Sequence, residues 1–294
     1  MTHYWPADLS LTLASRRNLQ INRDIHNRSL QLHDVENDAH ELRDVHKFLR
    51  DRCNTCSNWK GTYLYHLATH LNQKRVLELG SGDGQNLVAM ALLGAEVTGI
   101  DIAELSAPLT MKLAALCGVT VSTITADVCQ VEFPARSFDL VLGRGFIHHL
   151  THEQEDICLD KVARWISRTG EVRLFENAEN NPVIDRLRWY IPMPGRPSKL
   201  NRYAFAKYRS GNLSHPNRDN SSRHYERIAR AYFHQVSIDA IGGLERFSRF
   251  FPVGSDREVR ARQCALRAEN HIPKRLHHWI ARCQLVRMSD PITD

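Results

Sequence analysis

The stretch Val76-Leu-Glu-Leu-Gly-Ser-Gly-Asp-Gly84 decides the fold of this chain. Residues 75–79 are aliphatic enough to form a buried strand, and residues 86–93 indicate an apolar helix. Three glycines at alternate positions lie between the two segments. A strand, a glycine turn and a helix in this order form the first part of the nucleotide-binding site in doubly wound α/β folds. Glycines are needed in the turn because the chain must turn tightly there and let a ligand lie against bare backbone.

The glycine spacing narrows the class of ligand. The glycines are Gly80, Gly82 and Gly84, whereas a dinucleotide fingerprint has its third glycine five positions after the first, where this chain has Gln85. The spacing therefore disfavours a dehydrogenase.

Two acids flank the turn. Glu78 lies two residues before the first glycine, and Asp101 follows a second apolar run at residues 97–100. An acid at the carboxyl end of that strand is placed to accept both hydroxyl groups of a ribose.

Residues 78–84 have the form acid-x-Gly-x-Gly-x-Gly. This pattern resembles the first motif of the class I S-adenosylmethionine-dependent methyltransferases and matches it at each fixed position. The resemblance implies S-adenosyl-L-methionine as the cofactor. It also assigns a set of cofactor-binding positions, namely Glu78, Gly80, Ser81, Gly82, Gly84, Asp101, Ile102, Asp127, Val128 and Gly143.

Two later segments follow the same resemblance. Asp127, after the third predicted strand, is similar to the family's adenine contact, in which an Asp accepts from the exocyclic amine; a loop cap is the alternative. Residues 138–150 resemble the family's Phe-Asp-x-Val…His-His-Leu signature.

Three side chains near the predicted methyl position are catalytic candidates: Arg144, His148 and Glu176. Arg144 stands where the family often has a small or amide residue, and it favours a carboxylate, phosphate or phenolate acceptor. His148 can take a proton from a hydroxyl or amine. Glu176 is a base or an orienting group at the end of the fifth strand.

Each candidate also has a structural interpretation. Arg144 can point outward to a surface acid, and Glu176 can pair with one of the many arginines. The pair His148-His149 recurs in the family across different chemistries, which favours a structural role, above all for His149.

Alternating strand and helix patterns from residue 74 predict an α/β fold: a doubly wound, seven-stranded, mostly parallel sheet with helices on both faces and an antiparallel last strand. The fourth strand is predicted at residues 138–142 and the fifth at 171–175, and a helix at 61–71 leads into the first strand. Residues 1–72 are predicted to be a helical N-terminal cap, and residues 73–294 the methyltransferase domain. Insertions at about 177–230 and 239–281 are predicted to act as lids and, with the cap, to build the acceptor pocket.

The 294-residue chain has a formal net charge of +6, but the charge is distributed unequally between residues 1–180 and residues 181–294. Residues 1–180 carry a balance of −5, whereas residues 181–294 carry 21 Lys+Arg against 10 Asp+Glu, a balance of +11. A basic final third suits an anionic substrate, nucleic acid or an acidic partner; a solvated arginine-rich surface is the alternative.

Seven scattered cysteines are typical of reduced, intracellular thiols. The pair at positions 53 and 56 lacks a second pair at metal-binding spacing, so no metal site is predicted. No apolar run is long enough to span a bilayer, and residues 1–18 lack the apolar core of a signal peptide. These features predict a cytoplasmic protein; they do not predict its oligomeric state.

The large insertions favour methyl transfer to a small-molecule acceptor, an anionic one included, in metabolite or natural-product tailoring. An RNA or protein methyltransferase that uses the basic final third is the first alternative. A non-catalytic S-adenosylmethionine-binding partner protein is the second, because the motif indicates cofactor binding alone.

Overall fold

The computed structural model of the protein describes residues 11–187, 189–193, 195–210, 218–252 and 254–292. Seven strands form one sheet. They are β1 Arg75–Leu79, β2 Glu96–Asp101, β3 Ser122–Thr125, β4 Phe138–Arg144, β5 Ile166–Asn177, β6 Phe233–Ile241 and β7 Cys283–Pro291.

The α-helices of the described residues surround this sheet. They are α1 Leu13–Leu30, α2 Val35–Leu42, α3 Val45–Thr55, α4 Ser57–Thr62, α5 Gln85–Leu92, α6 Ser106–Cys117, α7 His152–Trp165, α8 Pro182–Leu187, α9 Arg202–Ser210, α10 Ser222–Ala229, α11 Asp256–Ala268 and α12 Lys274–Ile280. Short 3-10 helices lie at Leu64–His70, Ile147–His149, Glu245–Phe250 and Glu269–His271. None of these described helices is long and apolar enough to cross a membrane.

The strand order is β3-β2-β1-β4-β5-β7-β6. Strands β1 to β5 pair in parallel, whereas β7 pairs antiparallel with both β5 and β6. The predicted fold class, including the antiparallel last strand, is confirmed.

Both faces of the sheet are buried, which explains why the central strands are apolar throughout. Val76 and Leu140 belong to one core cluster, and their chain neighbours Leu77 and Val141 belong to the other. Because side chains alternate between the faces of a strand, this division places packed helices on each side of the sheet.

Several element boundaries differ from the sequence predictions. The fourth strand, predicted at 138–142, continues to Arg144, and the fifth, predicted at 171–175, runs from Ile166 to Asn177. The backbone N–H of Gly145 still donates to the carbonyl of Phe175, 2.7 Å away, so pairing between the strands extends beyond their apolar centres.

The helix predicted at residues 61–71 is interrupted. Helix α4 ends at Thr62, and Tyr65 and His66 adopt positive φ angles of 57° and 55° before the following 3-10 turns. The buried Arg173 donates hydrogen bonds to the carbonyls of Thr62 and Leu64. The side chain of Arg173 therefore satisfies carbonyl groups that a continuous helix would have paired internally.

Helix α1 crosses the carboxyl end of the sheet and is tied to it by polar side chains. Asn18 Nδ2 donates to the carbonyl of His149 at 2.7 Å, and the N–H of Leu105 donates to Asn27 Oδ1 at 3.1 Å. The predicted lid segments contain α8 to α10 after β5, and α11 and α12 after β6.

Candidate functional site

A cavity of about 240 Å³ lies at the carboxyl ends of the central strands, beneath helix α1. The carboxyl ends of parallel strands are where doubly wound sheets bind ligands. Seven of the predicted cofactor positions line it, namely Gly80, Ser81, Gly82, Asp101, Ile102, Asp127 and Val128.

The glycine turn has the conformation that its sequence predicts. Gly80, Gly82 and Gly84 have φ angles of 70°, 55° and 80°, in the left-handed region that side chains disfavour. A Cβ at Gly82 would meet nothing within 4 Å, so the backbone there faces open space. At Gly80 a Cβ would lie 2.8 Å from the ring of Phe146. The turn therefore leaves room for a ligand against bare backbone.

Asp101 connects the second strand to the glycine turn. Its carboxylate accepts hydrogen bonds from the N–H groups of Gly82 at 2.8 Å and Ala103 at 2.7 Å. Burial raises the pKa of Asp101, while these two N–H groups oppose the shift. The carboxylate is thus fixed at the cavity edge with lone pairs left for further donors.

Asp127 presents an unpaired buried oxygen. Its Oδ1 accepts from the N–H of Cys129 at 3.0 Å, whereas its Oδ2 is buried without a hydrogen-bond partner in the described part of the chain. Burial raises the pKa of this carboxyl, and the Cys129 N–H lowers it. An orphaned acceptor in a cavity wall fits a donor such as an exocyclic amine.

The other three predicted cofactor positions do not line the cavity. Glu78 is buried below it and accepts from Asn86 Nδ2 at 2.8 Å. Gly84 precedes α5 and packs so closely that a Cβ would overlap Thr110. Gly143 lies within β4, where a Cβ would come 2.9 Å from Leu174. These residues support the glycine turn from below.

Arg144 turns toward the cavity. Its Nε lies 3.6 Å from Glu78 Oε1, and its guanidinium lies over the Trp59 ring at 4.2 Å. The acid that it pairs with is buried, so the interpretation with a surface acid is wrong. Its Nη1 is buried without a hydrogen-bond partner among the described residues, which leaves a donor for an anionic ligand.

Burial raises the pKa of Glu78 to about 7, against the opposing charge of Arg144 and the hydrogen bond from Asn86. A carboxyl of this kind exchanges its proton near neutrality. The charge state of the buried Glu78 carboxyl therefore depends on the nearby Arg144 guanidinium, which favours the ionised form.

His148 and Glu176 form one unit. His148 Nδ1 lies 2.6 Å from Glu176 Oε2, and both side chains are buried. Glu176 Oε1 also accepts from the N–H groups of Phe146 at 2.9 Å and Ile147 at 2.7 Å. Glu176 therefore pairs with His148 and with the backbone of the turn that carries it, and not with one of the arginines.

The histidine and Glu176 border a second cavity, of about 270 Å³, which also contacts Asn177 and Cys283 at the strand ends. Gly145 borders this cavity and the first one. The two cavities are thus neighbours across the turn that follows β4.

Sequence reasoning missed the contribution of helix α1. Asn18, Asn22 and His26 line the first cavity with Leu19, and Asn22 Oδ1 lies 3.0 Å from His149 Nδ1. The three polar residues recur every fourth position, which places them on one helix face. That spacing is the signal that a sequence-based search could have used.

One group of potential metal ligands occurs within the described ranges: His152, Glu155 and His224. The carboxylate of Glu155 is paired with the guanidinium of Arg218, and its Oε2 lies 3.0 Å from His224 Nε2. A cation already neutralises this acid, and His152 is exposed. The group therefore fits an ion-pair network that joins α7 to α10.

Comparison with known proteins agrees with this geometry. Residues 76–170 match the family model described as a methyltransferase domain. The human eEF1A lysine and N-terminal methyltransferase is 29% identical over 136 residues, which cover 43% of this chain and 19% of that protein. The ubiquinone biosynthesis O-methyltransferase of Bordetella parapertussis is 31% identical over 114 residues, 35% of this chain and 45% of that protein. The chain thus covers less than half of either relative.

Two solved structures share the fold over nearly the whole chain. A 1,6-didemethyltoxoflavin N1-methyltransferase of Burkholderia thailandensis, with its substrate and S-adenosylhomocysteine bound, has a TM-score of 0.54 at 18% identity and covers 98% of this chain and 94% of that one. Phosphoethanolamine N-methyltransferase 1 of Haemonchus contortus, with phosphoethanolamine and S-adenosylhomocysteine bound, has a TM-score of 0.53 at 15% identity. The match covers 97% of this chain and 51% of that one.

The motif, the fold and the family match define the class. The chain contains a methyltransferase domain, matched over residues 76–170, and it has the class I, Rossmann-like fold of S-adenosylmethionine-dependent methyltransferases. The cofactor of this class is S-adenosyl-L-methionine.

Proposed function

We propose that this protein transfers a methyl group from S-adenosylmethionine to a small-molecule acceptor, with an anionic acceptor favoured, in metabolite or natural-product tailoring. The observation that carries the proposal is the pair of neighbouring cavities on either side of Gly145. One has the features of a cofactor site, and the other is lined in part by Gly242, Glu245 and Arg249 of the second insertion. A cavity of this size suits a small acceptor.

The cofactor side is assigned from the chain's own polar groups. Asp101 would accept the ribose hydroxyls, and the orphaned Oδ2 of Asp127 would accept from the adenine amine. The open backbone at Gly82 would lie against the cofactor, with Ser81, Ile102 and Val128 as further wall residues. Glu78, Gly84 and Gly143 would hold this wall in shape. When bound, the cofactor supplies a methyl group activated by positively charged sulfur.

On the acceptor side, His148 is the candidate base and Glu176 its positioning residue. Because a carboxylate can only accept, Nδ1 of His148 carries the proton that points at Glu176, and Nε2 is the nitrogen that can take a proton. Arg144 is assigned to the anionic group of the acceptor through its unpaired Nη1. The rest of the catalytic task is positioning and exclusion of water.

A protein or RNA acceptor is the second candidate. The basic balance of +11 in residues 181–294 and the similarity to a relative named as an eEF1A lysine and N-terminal methyltransferase both favour it. A non-catalytic cofactor-binding partner is the third. The proposal assigns the enzyme to the cytoplasm, since all seven cysteines are free thiols.

The first experiment is the transfer of labelled methyl from S-adenosylmethionine into an extract of the source organism, which is then separated into small molecules, RNA and protein. Label in the small-molecule fraction supports the proposal and yields a compound to identify. Label confined to RNA or protein replaces it with the second candidate. Absence of label, with S-adenosylhomocysteine binding demonstrated by calorimetry, favours the third.

A further inference from the structure

A third cavity lies between the two insertions, away from the glycine turn. Its volume is about 270 Å³, near the lower end of ordinary ligand pockets. Seven apolar side chains from both insertions line it, namely Ile184, Leu187, Ile191, Met193, Phe247, Phe250 and Ile280. Several of them are large and exposed, with Leu187 at 57% and Phe247 at 55%. Clustered exposed apolar side chains around a cavity indicate a binding site.

Four arginines surround the apolar wall, namely Arg196, Arg246, Arg249 and Arg282. Two of them donate to backbone carbonyls: Arg196 to Ile191 and Arg246 to Ile280. In the described part of the chain, the guanidinium of Arg249 has no hydrogen bond and no ion pair. An uncommitted cation at the edge of an apolar cavity is a site for an anionic group.

The charges around Arg249 strengthen this conclusion. Partial burial lowers the pKa of Arg249, with Arg196 and Arg262 acting in the same direction and Glu245 opposing them. Glu245 itself lies 3.4 Å from Arg262, so its charge is shared. An anion bound at Arg249 would relieve the repulsion between these cations.

The third cavity adjoins the catalytic side. Arg249 and Arg282 border both this cavity and the one that contains His148 and Glu176. Gly145 then separates that second cavity from the cofactor cavity. The order toward the cofactor cavity is therefore the apolar third cavity, then Arg249, and then His148 in the second cavity.

We propose that the acceptor is an amphipathic anion whose apolar body fills the insertion cavity and whose carboxylate or phosphate binds Arg249. This is a second anionic contact, distinct from the one assigned to Arg144 beside the transferred methyl group. The methyl-accepting atom then lies on the His148 side of that anionic group. This inference rests on the proposed function and specifies its substrate class.

Calorimetry with simple probes tests the inference in the presence of saturating S-adenosylhomocysteine. The probes are octanoate, octyl phosphate, 1-octanol and acetate, which separate the apolar body from the charge and the carboxylate from the phosphate. We expect one octanoate or octyl phosphate per chain, at least about tenfold weaker binding of octanol, and no measurable binding of acetate.

Variants assign the binding to the cavity. Arg249→Gln should weaken octanoate binding about tenfold, and Phe247→Ala should weaken octanoate and octanol together by about threefold or more. Arg260→Gln is the matched control, since Arg260 is an exposed arginine of α11 that lines none of the three cavities. All variants should bind S-adenosylhomocysteine like the wild type, which shows that they fold.

The outcomes separate the two proposals. If the wild type does not bind S-adenosylhomocysteine, the proposed function fails. If it binds S-adenosylhomocysteine but octanoate and octanol bind equally, or Arg249→Gln behaves like Arg260→Gln, the amphipathic-anion inference alone is overturned. The inference is also overturned if sedimentation shows a dimer that Phe247→Ala dissociates without any octanoate binding, because the apolar wall is then an interface between copies.

Discussion

Nδ1 of His148 lies 2.6 Å from Oε2 of Glu176, and the other oxygen of that carboxylate accepts the N–H groups of the turn that carries the histidine. One carboxylate thus fixes both the orientation of the imidazole and the backbone beneath it. A histidine ordered in this way has a defined tautomer, which is what a proton acceptor needs.

The first prediction separates these two tasks of Glu176. In Glu176→Gln the amide oxygen can still accept from Phe146 and Ile147, but the amide nitrogen cannot accept from His148 Nδ1. We expect kcat to fall about 100-fold, with a shifted pH profile and an unchanged KM for the cofactor, because the base loses its orientation while the turn survives. Steady-state kinetics across pH measure this.

His234→Gln is the control, since His234 is exposed on β6. A kcat for Glu176→Gln within about twofold of the control, with an unshifted pH profile, would give Glu176 a structural role alone and remove His148 as the base.

Much of the fold was predictable because local chemistry dictates it. The sequence from Val76 to Gly84 predicts a strand, a turn with positive φ angles and a helix, and all three occur. The continuous apolar character of the central strands predicts a sheet covered on both faces. These features depend on residues that are close together in the sequence, and they can therefore be predicted from the sequence alone.

The parts of the site that could not be predicted depend on contacts between distant segments. Glu176 approaches His148 from another strand, and Asn22 reaches His149 across 127 positions. The ion pair of Arg144 with Glu78 depends on the register of β1 and β4, which the sequence does not specify. The ends of β4 and β5 were misjudged because their pairing continues beyond the apolar residues.

The second prediction concerns Asp101. Asp101→Ala removes the acceptor for the N–H groups of Gly82 and Ala103 and the proposed acceptor for the ribose. We expect calorimetry to detect no binding of S-adenosylhomocysteine. Glu104→Ala, at an exposed acid three residues further on, should bind normally. Near-normal affinity of Asp101→Ala would refute the assignment of the cofactor cavity.

The third prediction concerns Arg144. Arg144→Ala should raise the KM for the acceptor more than the KM for the cofactor, by about tenfold, because an anionic group loses its charged donor. Arg144→Lys retains the charge but not the planar contact with Trp59, and it should fall between alanine and the wild type. Arg168→Ala, at an exposed arginine, is the control. Equal effects of Arg144→Ala on the KM for the acceptor and the KM for the cofactor would count against a role of Arg144 on the acceptor side.

The fourth prediction follows from the raised pKa of Glu78, about 7 against its ordinary value of 4.5. Since the folded state binds this proton more tightly, the contribution of Glu78 to stability is fully present below pH 4.5 and is lost as pH rises toward 7. The change across this window is up to about 3 kcal/mol. In Glu78→Gln the amide oxygen still accepts from Asn86, but nothing titrates.

Urea unfolding of the wild type and Glu78→Gln, from about pH 5 to about pH 8, isolates this group because all other titrations are common to both proteins. We expect the free energy of unfolding of the wild type to fall relative to that of the variant as pH rises. In Arg144→Ala the fall should be steeper, because Arg144 is the charge that opposes the rise in the pKa of Glu78. Parallel pH curves for the wild type and Glu78→Gln would mean that Glu78 stays ionised in the fold, and Arg144 would then be fully neutralised by it.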